Sequence, residues 1–387
     1  MNLSKSIDFL LENAGAVIQY RLRKEILGDL SKSEEEKLLQ IIEQTPLFTL
    51  LKSYVKPNGY IGSGMHSWSN WRGLVLQETP LQDGETATRL LSYYAIPKTH
   101  PIVKNFVAVL RNDEILREEF LYIPPEISRF ENRFVGLNNG NSLMANIYSM
   151  QAILGFGDDF EDLHSFQQVA LKGFQRVLEI NALDEITKFN AELKRKYNYP
   201  YIESDEYFPD LYTLEILANT KSWRTPENIK MLADSINHIN KIMKPDNNMY
   251  VRIKGKYIAP CWAMCRPVRA FHPDTIDSIM YRLPLTYIAM LGAGENVGVL
   301  RESAENIMAA INNDGILRFN FDVPHNKRYS PKKIEYPTHY SDVRLEPNYE
   351  RKNAMLCDLT FWAVQFMYYY ENISKKTLIL PQRKPAK

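Results

Sequence analysis

Apolar positions along this chain recur at helical spacing, and polar or small-residue breaks cut the pattern at regular intervals. The opening stretch sets the tone: Leu3, Ile7, Leu10, Leu11, Ala14 and Ile18 alternate with Lys5, Asp8 and Glu12 at the period of one buried helix face. Two kinds of break follow each other. One ends a helix on small residues, as in Leu27-Gly28-Asp29, Leu154-Gly155-Phe156-Gly157-Asp158 and Leu291-Gly292-Ala293-Gly294-Glu295. The other ends the next helix on a polar corner leading into an apolar residue. It reads Lys56-Pro57-Asn58-Gly59-Tyr60, Arg111-Asn112-Asp113-Glu114-Ile115, Lys244-Pro245-Asp246-Asn247-Asn248-Met249 and Asn312-Asn313-Asp314-Gly315-Ile316. The pattern predicts helices near 3–27, 34–55, 82–96, 100–112, 141–155, 159–178, 182–197, 209–220, 226–243, 275–292, 297–312 and 352–370. Repeated helix pairs of this kind mean a solenoid or a closed ring of α-hairpins, so the fold class expected is all-α.

Start signals support several of these helices. Ser31 or Ser33 precedes Glu34-Glu35-Glu36, where acidic side chains suit a helix N-terminus, and Thr225-Pro226-Glu227 puts a capping hydroxyl before proline. Thr99-His100-Pro101 offers the same arrangement less cleanly. Four connections are long: 56–81, 113–140, 245–274 and 313–351. Loops of that length inside a compact domain tend to be functional. Met249–Lys254 and Gly255–Ala259 read as a short β-hairpin turning near Lys254-Gly255, and Ile316 to Phe321 alternates in a similar way. No low-complexity linker splits the chain, which predicts a single domain over 1–375 and a basic tail over 376–387, with a short strand at Thr377–Pro381.

The helix pairs, the small-residue turn inside each pair and the Asn/Asp-Gly corner after it resemble the α/α toroid of terpenoid cyclases and protein prenyltransferases. The nearest likeness is to bacterial squalene-cyclase/prenyltransferase-like proteins, through Val17-Ile18-Gln19-Tyr20-Arg21-Leu22-Arg23 and Ile26-Leu27-Gly28. The resemblance implies a barrel of about six helical hairpins, with inner and outer helices around a central cavity, to which the loop residues add short β-hairpins. Five pairs are plain; the helix at 182–197 and the last helix have no obvious partner. The cyclase D-x-D-D motif, the Gln…Trp corner repeat and the prenyltransferase zinc set are missing, so terpene cyclisation and protein prenylation are not expected.

Composition narrows the partners. The net charge of +1 over 387 residues gives no field for nucleic acid, and no stretch approaches the ~20 apolar residues of a membrane span. The odd, small set Cys261, Cys265 and Cys357 argues against a disulfide framework, so a cytoplasmic location is expected. Aromatics reach 12%, with 23 Tyr, many of them in the connections. Such side chains either anchor loops over helix ends or line a pocket that needs both apolar surface and hydrogen bonds.

Candidate chemistry sits mostly in the long connections. Gly62–Gly73 brings His66, Trp68, Trp71 and Arg72 together: a neutral-pH acid/base, two stacking faces and a cation. The plainer reading is a loop held by buried Trp anchors. Asn139 and Asn141 precede a helix, where amides and helix N–H groups bind anions but more often form turn and cap. Cys261-Trp262-Ala263-Met264-Cys265, with Arg266 and His272, is dense in reactive types. Three potential ligands without a fourth are a weak metal signal, and core packing accounts for them as well. Tyr336-Pro337-Thr338-His339-Tyr340-Ser341-Asp342 places a His–Asp pair among tyrosines, suited to general acid/base work if it faces a cavity. Asp158-Asp159-Phe160-Glu161-Asp162 spells the D-D-x-x-D pattern of diphosphate-binding magnesium sites, but at a turn where acidic residues serve as caps.

The expectation is a small polar or cyclic molecule bound, or transformed, in an aromatic-lined central cavity, with no cofactor and no metal. His66, His339 and Asp342 are the candidate catalytic groups. Trp68, Trp71, Arg72, Asn139, Asn141, Trp262, Arg266, His272, Tyr336 and Tyr340 are the candidate ligand contacts. Two alternatives stay open: a non-catalytic helical scaffold binding a protein partner, and a carbohydrate lyase or hydrolase on a helical ring.

Overall fold

Helices dominate because each of the two kinds of break has a stereochemical cause. The computed structural model describes residues 3–62, 83–119, 142–189, 200–203, 206, 208–243, 249–253, 256–258, 267–275, 278–320, 345–346 and 351–371. The helices are α1 (Ser4–Asn13), α2 (Ala16–Arg21, continued by a π-helical turn Leu22–Leu27), α3 (Lys32–Glu43), α4 (Pro46–Ser53), α5 (Gly84–Tyr93), α6 (Pro101–Leu110) and α7 (Asp113–Glu119). They continue with α8 (Ser142–Gln151, then a π-helical turn Ala152–Phe156), α9 (Glu161–Val177), α10 (Leu211–Ala218), α11 (Pro226–Ile242), α12 (Ser278–Met290), α13 (Gly298–Ile311) and α14 (Ala354–Glu371). Gly28, Gly155 and Gly292 carry φ of 65°, 85° and 101°. Those left-handed residues end their helices at the small-residue breaks.

Starts are set by caps. Ser31 and Glu34 form a reciprocal capping box on α3, and Thr225 with Pro226 opens α11. The α6 cap is not Thr99 but His100, whose Nδ1 accepts from Ile102 N at 3.2 Å. Where the spacing predicted one helix over 34–55, Thr45 caps a new one at Pro46, which has no N–H to continue the first. The stretch 3–27 also divides, at Ala14-Gly15, where Glu346 Oε1 takes the Gly15 N–H at 2.6 Å. Helix α7 was not expected; Asn112 Oδ1 starts it by accepting from Glu114 N and Ile115 N. The helix predicted at 182–197 is, over its described part, one 3₁₀ turn, Leu183–Glu185. Ala182 is extended, Glu185 Oε1 takes the N–H groups of Asn181 and Ala182, and Lys188 is drawn into a bridge with Tyr201.

Three strands accompany the helices: β1 (Tyr201–Glu203), β2 (Tyr250–Ile253) and β3 (Lys256–Ile258). The β2–β3 hairpin stands where the sequence places it, antiparallel, with Val251 opposite Ile258. The parallel pairing of β1 with β2 carries no local sequence signal. Residues 316–319 form no strand; Leu317 N instead donates to Thr360 Oγ1 on α14. The predicted strand at 377–381 lies outside the described residues.

Burial sorts the helices into two kinds. Every residue of α10 is buried, as are residues 84–91 of α5 and 357–367 of α14. Helices α6, α9, α11 and α13 bury one face and expose the other. The enclosed helices pack side by side in chain order, α5 on α8, α8 on α10, α10 on α12 and α12 on α14. Helix α14 then packs against α1 and α2, so the first and last described helices meet.

Candidate functional site

The enclosed helices carry charged groups that an apolar helix face would not tolerate without partners. On α5, Glu85 and Arg89 lie one turn apart, and Glu215 is the one charged residue of α10. Arg89 is 1% exposed; its Nη2 donates to Glu85 Oε1 at 2.9 Å and to Glu215 Oε1 at 2.6 Å, and its Nε donates to Glu85 Oε1. The outer carboxylate oxygens are also satisfied. Asn146 Nδ2 and the Tyr212 hydroxyl donate to Glu85 Oε2, and Ser149 Oγ donates to Glu215 Oε2. One guanidinium thus bridges two carboxylates out of reach of water. Burial, followed by the Glu85 charge, pushes the Glu215 carboxyl upward against the pull of Arg89. Burial opposes the charge on Arg89, yet Glu215, Tyr287 and Glu85 hold it firmly protonated.

Arg89 also forms part of the wall of a cavity of about 390 Å³. Helices α5, α12 and α14 and the two π-helical segments following α2 and α8 surround it. Arg89, Arg282, Tyr287, Phe361 and Trp362 line it, with Ser92, Gly155 and Asn219 at the helix ends. Its size suits a small organic ligand. Trp362 is held in place: its indole N–H donates to Thr286 Oγ1 at 2.9 Å, and its ring leans on Phe271 with centroids 4.8 Å apart. The Arg282 guanidinium lies 5.5 Å from the Trp362 ring centre, within cation–π range. Arg21 is clamped by both Glu25 oxygens, with contacts of 2.9–3.2 Å, and lies 5.2 Å from the Phe361 ring centre. Asp358 accepts from Leu345 N and Glu346 N through Oδ1.

Among the residues singled out in the sequence, His66, Trp68, Trp71, Arg72, Asn139, Asn141, Trp262, Arg266, Tyr336, His339, Tyr340 and Asp342 lie outside the described residues. His272 is described. It is exposed, its Nδ1 accepts from Asp274 N at 3.2 Å, and it stands 3.5 Å from the Asp274 carboxylate. It steadies the turn before α12 and is not among the described residues that line the cavity.

The D-D-x-x-D run does not converge on a point. Asp158 accepts from Lys221 N, Ser222 N and Ser222 Oγ, while Asp159 pairs with Lys98 and Asp162 with Arg111. Asp158 thus holds the turn between α10 and α11 rather than capping its own helix, α9, whose N-cap is Phe160. Burial would raise its carboxyl, but the Ser222 and Lys221 donors hold it below the ordinary value. No group of three or more His, Cys, Asp or Glu is gathered for a metal ion among the described residues. Cys357 is buried, which pushes its thiol up to about 12 and leaves it unreactive as a nucleophile. No described helix is long and apolar enough to cross a membrane.

No family model, curated protein or solved structure matches this chain.

The residues that sequence reading missed are Arg21, Glu85, Arg89, Glu215, Arg282 and Trp362. A signal was present for most of them. A lone Glu inside Leu211–Ala218, and an i, i+4 Glu–Arg pair inside the largely enclosed α5, are charges placed where helix faces are otherwise apolar.

Proposed function

We propose that the chain is an α/α toroid of about six hairpins, of the terpenoid cyclase/prenyltransferase-like type, and that its central cavity binds a small polar or cyclic molecule. The pairing order supports a ring. In it, helices α2, α5, α8, α10, α12 and α14 would form the inner set, which the packing of α5 on α8, α8 on α10, α10 on α12, α12 on α14 and α14 on α2 supports, with α3, α6, α9, α11, α13 and α1 outside. On this reading the last helix, which has no partner in the sequence pattern, takes α1 as its outer mate. Gly15 N donates to Glu346, Ser6 Oγ to the Gly315 carbonyl at 2.6 Å, and Lys5 Nζ to the Asn313 carbonyl at 2.8 Å, across more than 300 residues of chain.

The observation that carries the binding reading is the cavity itself. Its lining is aromatic and cationic, with Trp362 fixed by Thr286 and Phe271, and comes largely from helices that the ring reading puts inside. A hollow of this size lined by satisfied charges costs packing energy that a plain scaffold has no reason to spend. The test is a thermal-shift screen of a metabolite library on the wild type and on Ser92→Trp, which fills the cavity beside α5. A ligand at a hundredfold excess over its Kd stabilises by about 2.7 kcal/mol. A shift in the wild type that Ser92→Trp loses, with the variant's own melting temperature preserved, is the expected result. Equal shifts in both proteins, or none in either, would reject the cavity as the binding site.

A further inference from the structure

The charges on the cavity wall are matched to one another. Arg89 is shared by Glu85 and Glu215, Arg21 is clamped by Glu25, and Lys98 pairs with Asp159 at 2.9 Å. Arg282 is engaged as well, its guanidinium standing against the Trp362 ring. Asp358 already accepts from Leu345 N and Glu346 N. A charged ligand would give up its hydration and meet no uncommitted counter-charge among these groups, a costly exchange. An uncharged ligand avoids that cost.

Open hydrogen-bonding atoms stand instead at the helix ends. Asn219 is the C-cap of α10, and its Nδ2 donates to the Glu215 carbonyl at 2.8 Å. That bond fixes the amide with its nitrogen on α10 and leaves Oδ1 as an acceptor, with no donor to it among the described residues. Ser92, in the last turn of α5, is half-buried, and its hydroxyl makes no hydrogen bond among the described residues. Both residues line the cavity. Each stands one turn beyond the Arg89–Glu215 bridge on its own helix, so the two face the same stretch of the cavity. An acceptor-only oxygen suits an N–H or O–H group and opposes a carboxylate, while a serine hydroxyl can serve a carbonyl or hydroxyl oxygen. Phe361 and Trp362 on the same lining offer apolar area to a ring.

We infer that this cavity selects an uncharged ring compound bearing an amide or hydroxyl group, its N–H or O–H received by Asn219 Oδ1 and its oxygen served by the Ser92 hydroxyl. The inference rests on the cavity reading above and adds the charge state of the ligand and the atoms that receive it.

The test titrates the full chain with benzamide, benzoate and acetophenone, followed by saturation-transfer NMR with competition. The three share a ring; benzoate adds a charge, and acetophenone has a methyl group in place of the amide nitrogen. Benzamide is expected to bind about tenfold more tightly than benzoate and about fivefold more tightly than acetophenone. Asn219→Ala is expected to bring benzamide down to the acetophenone level and leave acetophenone unchanged. Ser92→Ala, which leaves the α10 cap intact, is expected to weaken both and serves if Asn219→Ala does not fold. Benzoate or acetophenone binding as tightly as benzamide, or a benzamide affinity that neither variant lowers, would overturn this assignment while the cavity reading stands. Binding of no probe would overturn the assignment, and the cavity reading falls with it only if the metabolite screen also shows no shift.

Discussion

Asp210 opens α10 with a carboxylate that is wholly enclosed. It accepts from Thr213 N at 2.8 Å, and its own N–H is returned to Thr213 Oγ1 at 2.9 Å. Burial outweighs those donors and pushes the carboxyl up to about 6, from 3.8. The folded protein therefore holds more protons than the unfolded chain between those two values. The contribution of this group to stability is fullest below about pH 4 and is lost as pH rises through 6. Near neutrality the cost is on the order of 3 kcal/mol. Asp210→Asn keeps the capping oxygen and cannot ionise. It is expected to be more stable than wild type at pH 7.5 by about 1–3 kcal/mol, with the gap closing below about pH 4 in urea titrations. A variant less stable than wild type at neutral pH would show that the carboxylate is paired there. Arg89 poses the opposite problem at the same scale, a permanent cation whose enclosure is tolerated because two carboxylates share it.

Helices and turns show what a sequence can reveal. The glycine at each small-residue turn, the Ser31 box, the Thr225-Pro226 start and the β2–β3 hairpin are local, and each reads directly from neighbouring residues. The 182–197 stretch misleads for a long-range reason. Its apolar residues Leu183 and Ile186 are buried as expected, but the chain beyond them is drawn toward Tyr201, a partner that local periodicity does not register. The candidate site was legible only in part. Charges inside enclosed helices are a readable anomaly, whereas the meeting of Arg89 with Glu215, 126 residues apart, depends on how α5, α8 and α10 pack. Asp158 is similar: four acidic residues in five look like a cation site until the donors to Asp158, Asp159 and Asp162 are seen to come from three different directions.

The docking of α1 belongs to the same scale. Gly315 has φ of 80°, and a Cβ there would stand 2.6 Å from Ser6 N and 2.7 Å from the Lys5 carbonyl carbon. Both are backbone atoms that cannot move aside. Gly315→Ala is expected to destabilise by about 2 kcal/mol or more through left-handed strain and a displaced α1. Faster amide hydrogen exchange in α1 than in α11 would accompany the loss. Unchanged melting and unchanged exchange in α1 would mean that the close approach does not hold the helix.

For the whole molecule, ring closure and cavity are one account. In the proposed ring the first helix is the outer mate of the last, and the inner helices stand around the cavity whose lining carries guanidinium groups and aromatic rings. If the ends did not meet, the Phe361 ring would lose the Arg21 guanidinium that lies 5.2 Å from its centre. The measurement that bears most directly on this is a crystal structure of the full chain, read at the centre of the inner helices. The account expects an open space bounded by Arg89, Tyr287 and Trp362, with non-protein density in it and α1 seated on α14. Those three side chains packed directly on one another, with the centre filled by hydrocarbon, would contradict it.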